Sequence, residues 1–225
     1  MAAQGELIGI IGGTGKLGAA LARRWAKAGL PVMIGSRDAA RARETAQALG
    51  QSLGLSLASG SNRETAARAG LLVVTVPYAA QAETLAEIRA AAAGKVVIDT
   101  TVPLMPPKVM RVQLPPEGCA ALRAQQILGS GVTVVSAFHN VAAHKLATDA
   151  AIDCDVLVFG DEAAARARAV RLAQAAGLRG LQGGALANSA AAEALTSILI
   201  FINKTYAADG AGVRITGELT EPSAK

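Results

Sequence analysis

Aromatic residues are scarce in this chain: one Trp, two Tyr and three Phe among 225 residues, or 3%. A core without large rings must be built from Ala, Val, Leu and Ile, which suits a parallel α/β sheet under closely packed helices. The same scarcity denies the chain a stacking platform for single-stranded nucleic acid. Cysteine and histidine are equally sparse. Cys119 and Cys154 are read as inert thiols of a protein in a reducing cytoplasm, and they lack metal-ligand spacing with His139 or His144. No apolar run is long enough to suggest a membrane span: the most apolar late stretch, 194–202, is interrupted by Thr196 and Ser197. The first five residues are too few and too polar for a secretion signal, so a cytoplasmic protein without a membrane partner is expected. Lys and Arg outnumber Asp and Glu by 22 to 17, yet they form no basic block. That excess suits anionic small molecules and gives no reason to expect nucleic acid as a partner.

What is present begins at Ile8-Gly9-Ile10-Ile11-Gly12-Gly13-Thr14-Gly15-Lys16-Leu17-Gly18. An apolar strand enters a glycine-rich turn, and the turn enters a helix marked by Leu17, Leu21 and Trp25 at helical spacing. Gly13, Gly15 and Gly18 occupy the G-x-G-x-x-G slots of a dinucleotide-binding turn. On this reading Gly13 permits the tight turn, Gly15 admits the pyrophosphate, and Gly18 packs the helix on the strand. The helix N-terminus offers open amides and partial positive charge to the phosphates. Gly29 stands where a left-handed cap belongs, and a second strand follows at 30–35.

A second absence selects the nucleotide. An NAD site usually carries Asp or Glu at the end of the second strand to accept from the ribose hydroxyl. Here the strand ends Gly35-Ser36-Arg37, with Arg41 and Arg43 one turn on, and Asp38 reads as a helix-starting residue. A hydroxyl and guanidinium groups at this loop fit a 2′-phosphate, with Thr14 adding a further hydroxyl. NADP is therefore the expected cofactor; the plainer alternative is that these arginines only solvate a helix face.

Strand and helix signals alternate along the chain. Helix is expected at 39–49, a short strand at 56–59, and a turn capped by Ser61 or Asn62. A buried strand at 71–76 stops at Pro77, and helix follows at 79–93. A strand at 95–100 leads through a proline-rich loop, 104–117, to helix at 120–128 and strand at 132–138. Such repeats imply an α/β Rossmann fold, a doubly wound parallel sheet with ligands at the carboxyl ends of its strands. After about residue 146 the pattern becomes strand 154–160, helix 162–176, strand 178–183 and a long apolar helix 187–204. The chain is thus divided into a nucleotide-binding domain, 1–145, and a small C-terminal α/β domain, 146–225, closing over the cleft.

Acid–base candidates in that cleft are few. His139 ends a strand and is the one possible catalytic side chain, with packing of the loop as the alternative. Asp99 is expected to bond nearby backbone, and Tyr78 has no lysine four residues later. No nucleophile triad or metal cluster is evident. Hydride exchange between two redox cofactors needs mainly juxtaposition, and small residues such as Thr101 and Ala137 leave room for two rings.

The order of Gly12-Gly13-Thr14-Gly15-Lys16-Leu17-Gly18, Gly35-Ser36-Arg37, Thr75-Val76-Pro77-Tyr78, Val135-Ser136-Ala137-Phe138-His139-Asn140 and Gly184-Ala185-Leu186-Ala187-Asn188-Ser189 resembles the NADPH-dependent F420 reductases, or F420:NADP oxidoreductases. The similarity extends into the last helix with Glu193, Leu195 and Leu199. It implies reversible hydride exchange between NADP(H) and the 5-deazaflavin coenzyme F420 in a homodimer. By the same resemblance, Thr14, Ser36, Arg37 and Arg41 would hold the 2′-phosphate. Val76, Pro77, Ala137, His139 and Asn140 would line the nicotinamide–deazaflavin region, and Leu195 and Leu199 would cover the deazaflavin. Asn140-Val141-Ala142 and Ala190 depart from the pattern, both on the acceptor side. Reduction of another acceptor (flavin, pterin, quinone or ferric chelate), or a non-catalytic NADPH sensor, therefore stands as the alternative.

Overall fold

A computed structural model of the chain describes residues 5–220. Its eight strands are β1 (Ile8–Ile11), β2 (Val32–Ser36), β3 (Ala58–Ser61), β4 (Leu71–Val74), β5 (Val96–Asp99), β6 (Thr133–Ser136), β7 (Asp155–Gly160) and β8 (Arg179–Gln182). They form one sheet in the order β3-β2-β1-β4-β5-β6-β7-β8, parallel throughout except between β6 and β7. The order reverses at β1, between β2 and β4, which marks the crevice where a doubly wound sheet holds its ligand.

The helices are α1 (Lys16–Lys27), α2 (Ala39–Leu53), α3 (Asn62–Arg68), α4 (Tyr78–Ala92), α5 (Ala120–Leu128), α6 (Ala143–Leu146), α7 (Ala163–Ala175) and α8 (Ser189–Tyr206). Alternation along the strands feeds two cores. Ile10, Val73, Ile98 and Val135 join Leu21 and Trp25 of α1 on one face. Ile11, Leu72, Val74, Val97 and Val134 join Leu85 and Ile88 of α4 on the other. Trp25 is fully buried, packs edge-on to Phe138 at 5.9 Å and donates its ring N–H to the Leu172 carbonyl at 2.8 Å. Its burial contributes about 4–6 kcal/mol of transfer free energy.

Three departures from the sequence expectation have clear local reasons. Helix α2 runs through Gly50 to Leu53, and it ends only where Gly54 turns left-handed at φ 67°. Strand β3 lies two residues later than expected, because Ser61 both pairs with Ser36 and caps α3. Strand β6 stops at Ser136, since Phe138 takes φ 65° and turns the chain out of the sheet.

Strand β7 meets β6 through Phe159 and Gly160, opposite Ser136 and Val135. Its earlier residues therefore project beyond the carboxyl end of β6, and β7 with β8 raises a wall above the edge where ligands bind. Arg24 of α1 joins this segment to the rest. Its guanidinium donates to the carbonyls of Leu146 (3.0 Å), Ala176 (3.1 Å), Lys145 (3.4 Å), Thr148 (2.7 Å) and Ala150 (2.9 Å).

Candidate functional site

The glycine turn sits where β1 meets α1. The left-handed residue is Gly12, at φ 74°, rather than Gly13, and a Cβ on Gly12 would lie 2.6 Å from Val76 Cγ1. A Cβ on Gly18 would lie 2.5 Å from Thr75 Oγ1 and 2.8 Å from Gly13 Cα. Gly12 and Gly18 thus press against the end of β4 without room for a side chain at either position. Gly15 is the N-cap of α1, and no side chain caps that helix. Its first amides stay open, as an anion requires.

A cleft of about 440 Å³ opens over this turn. Gly12, Thr14, Gly15, Ser36, Arg37, Arg41, Val76 and Pro77, all singled out in the sequence, line it together with Asp38, Asn62, Thr75 and Ala80. Asp38 spends one carboxylate oxygen on capping α2, where Oδ1 accepts from the Ala40 and Arg41 amides at 2.9 and 3.3 Å. Ser36 accepts from the Asp38 amide at 3.2 Å, which leaves its hydroxyl hydrogen to donate. The cleft therefore offers open amides at one end and hydroxyl and guanidinium groups at the other. Both ends thus present donors suited to anionic groups.

Asn62 was read from the sequence only as a possible cap, and Ser61 takes that part: its hydroxyl accepts from the Glu64 amide while Glu64 accepts from the Ser61 amide. Asn62 is instead 1% exposed and accepts from the Gly12 amide at 3.2 Å. A polar residue directly after a strand, at the carboxyl edge of the sheet, was the available signal.

The remaining expected residues fall elsewhere. Tyr78 opens α4, and its ring faces the Arg123 guanidinium at 4.8 Å, outside the cleft lining. Thr101 is buried and donates its hydroxyl to Asp99 Oδ1 at 2.6 Å. Asp99 also accepts from Gln81 Nε2 at 2.6 Å, and burial raises its carboxyl to about 6. Ala137, His139 and Asn140 lie past the end of β6 beneath α8. His139 is buried with no partner on either ring nitrogen, and burial holds it down to about 4, so it is neutral near pH 7. Its ring is 6.4 Å from that of Phe159. Asn140 donates to the Ala192 carbonyl (2.8 Å) and Thr196 Oγ1 (3.1 Å), and Thr196 donates in turn to the His139 carbonyl (3.0 Å).

Helix α8 closes this side. Leu195 lines a groove of about 540 Å³ with Leu157, Phe159 and the alanines at 187 and 190–192, whereas Leu199 is buried below. Glu193 is buried and accepts from the Ala120 and Ala121 amides at 2.6 and 3.1 Å, capping α5 from outside. Burial raises its carboxyl to about 8. Ser189 shares a short hydrogen bond with Ser136. The stretch 186–206 is longer than the apolar run at 194–202 and would reach across a membrane by length and composition. These polar ties nevertheless fasten it to β6 and α5. Its other face leaves Ile198, Phe201 and Tyr206 exposed.

Residues 7–103 match the family model described as NADP oxidoreductase coenzyme F420-dependent. The chain is 39% identical over 218 residues to the F420-dependent NADP reductase of Methanothermobacter thermautotrophicus, covering 93% of this chain and 94% of that one. The protein of the same description from Methanocaldococcus jannaschii is 35% identical over 219 residues, with 93% and 97% covered. Among solved structures, a candidate F420-dependent NADP reductase from Arthrobacter sp. FB24 superposes with a TM-score of 0.82 at 22% identity, covering 95% of this chain and all of the other. The reductive aminase of Aspergillus terreus, solved with NADPH, gives 0.60 at 19% identity over 89% of this chain and 61% of that one.

Proposed function

Since the chain belongs to the family of F420-dependent NADP reductases, we propose that it passes a hydride, in either direction, between NADP(H) and the 5-deazaflavin F420. One observation carries the nucleotide half. The uncapped α1, Ser36, Arg37 and Arg41 share a cleft whose single nearby carboxylate, Asp38, is engaged in capping. The chain's residues fit a phosphorylated dinucleotide without adjustment: open amides for the pyrophosphate, hydroxyls of Thr14 and Ser36 and the two guanidinium groups for the 2′-phosphate.

The bound rings supply the hydride chemistry itself; the protein positions them and excludes water. Val76 and Pro77 at the end of β4 and Ala137, His139 and Asn140 past β6 bracket the ring site, with strand β5 between them. Two strand spacings make that bracket about 10 Å wide, room for stacked rings. Neutral His139 adds no charge there, so its part is to shape the pocket and offer a ring nitrogen. Leu195 and the β7 wall cover the acceptor. We assign residues 1–145 to nucleotide binding and 146–225 to acceptor cover. The exposed Ile198, Phe201 and Tyr206 of α8 support a homodimer through that helix. A soluble cytoplasmic enzyme without nucleic-acid or membrane partners completes the reading.

The groove lining of alanines, Leu157, Phe159 and Leu195 carries no charged side chain, and this favours, as second reading, a different flat acceptor such as a flavin, pterin or quinone. Mixing the purified protein with NADPH and oxidised F420 and following the deazaflavin absorbance separates them. Bleaching that requires NADPH rather than NADH supports the first reading. NADPH oxidation with flavin but not F420 replaces it with the second.

A further inference from the structure

Asn62 carries an unused donor into the nucleotide cleft. Its side chain is 1% exposed and follows β3, yet it reaches across the end of β2 to the amide of Gly12, at the end of β1. The Gly12 N–H is a donor, so the atom it meets must be the amide oxygen. That bond fixes the orientation of the group and leaves Nδ2 on the other side. Nδ2 is buried without a partner, although Asn62 lines the cleft beside Ser36 and Arg37. A buried, unpartnered amide nitrogen on a residue that lines a polar cleft is an incomplete hydrogen-bond arrangement that an acceptor on a ligand would complete.

The register says which acceptor. Ser61 pairs with Ser36, so Asn62 is the next residue outward and overlies the end of β2. Its side chain spans from β3 over the end of β2, which carries Ser36 and Arg37, to the glycine turn at the end of β1. A nucleotide held at both points places its adenosine ribose there, and the one free hydroxyl of that ribose is the 3′-hydroxyl. Resting on the NADP reading above, we propose that Asn62 is a nucleotide-binding residue whose Nδ2 donates to the 3′-oxygen of the adenosine ribose. Its Oδ1 holds the glycine turn, so one side chain couples the shape of the turn to the seat of the ribose.

The test is calorimetric binding of NADP+, NAD+ and 3′-deoxy-NADP+ to the parent, Asn62→Asp and Asn62→Ala, with melting curves of each protein alone. Asp retains an acceptor for Gly12 and loses the donor; Ala loses both. The parent should bind the 3′-deoxy analogue about tenfold more weakly than NADP+. Both variants should bind NADP+ at least several-fold more weakly than the parent, and Asn62→Ala, which offers the 3′-hydroxyl neither donor nor acceptor, should distinguish the two ligands by less than twofold. An Asn62→Ala variant that keeps the parent's preference for the 3′-hydroxyl overturns the assignment, as does a parent with no such preference. If the parent binds NADP+ no better than NAD+, the 2′-phosphate reading fails and this inference with it. Selectivity for NADP+ with an undiminished 3′ preference in both variants sinks the Asn62 role alone.

Discussion

Gly18→Ala is the sharpest probe of the turn. The added methyl would lie 2.5 Å from Thr75 Oγ1, 2.8 Å from Gly13 Cα and 3.1 Å from the Gly12 carbonyl. Thr75 has no free rotation to yield, because its hydroxyl donates to the Ile11 carbonyl at 3.0 Å. The other two contacts are backbone. Relief must therefore come from displacing α1 off the end of β4, or from breaking the Thr75 bond and shifting the turn. Overpacking of this kind costs about 1–3 kcal/mol, and the lost hydrogen bond about 1 more. Alanine returns up to about 1 kcal/mol through its better helix propensity. The net loss of about 1–3 kcal/mol corresponds to a melting temperature lower by about 2–12 °C in a chain of this size. Displacing the open amides should also weaken NADP+ about tenfold, read by titration calorimetry. Thr75→Ala in the same background removes the closest contact and should recover part of the stability. An unchanged melting temperature and unchanged affinity in Gly18→Ala would refute the packing argument outright.

Arg37→Ala should weaken NADP+ binding about 10- to 100-fold while leaving NAD+ nearly untouched, since the guanidinium is assigned to the 2′-phosphate alone; equal losses in a calorimetric comparison would contradict the assignment. Glu193 predicts a pH dependence. Its folded value is raised from an ordinary 4.5 to about 8 by burial, so between those values the folded chain holds a proton that the unfolded chain has released. Stability must fall as pH rises through this window, by up to about 1.4 kcal/mol per unit. His139, held down to about 4 from 6.5, works in the opposite sense only below 6.5, and Asp99 at about 6 has mostly titrated by then. Melting curves should therefore drop by about 3–7 °C between pH 6.5 and 8, and Glu193→Gln should flatten that drop. A parent with no slope there would show that the carboxyl is already ionised in the folded chain.

The cleft over the glycine turn was largely legible because its signals are local. The glycine spacing, the apolar strand before it and the Ser36-Arg37 ending are each set by residues adjacent in sequence. The left-handed conformation at Gly12 was not read from the sequence, since Gly12 and Gly13 are both glycine and a Cβ on Gly13 would also meet backbone, the Ile10 carbonyl at 2.9 Å. The acceptor half depends on contacts between distant segments, such as Glu193 with the α5 amides and Asn140 with α8. Spacing carries no trace of those. Thr101 and Tyr78 sit at strand ends as expected, yet Asp99 and Arg123 draw them away from the cleft. The reversal at β7 was equally hidden, because an apolar strand reads the same in either direction.

Every acceptor of Arg24 is a main-chain oxygen, at residues 145, 146, 148, 150 and 176. A carbonyl keeps its place whatever side chain it bears, so substitutions at those five positions leave the joint intact as long as the backbone path holds. Arg24 lies in α1, the helix that also begins at the glycine turn, so this part of the joint survives side-chain change in the segment it holds. The ties through Ser189 and Glu193 of α8 are side chains of that segment and have no such tolerance.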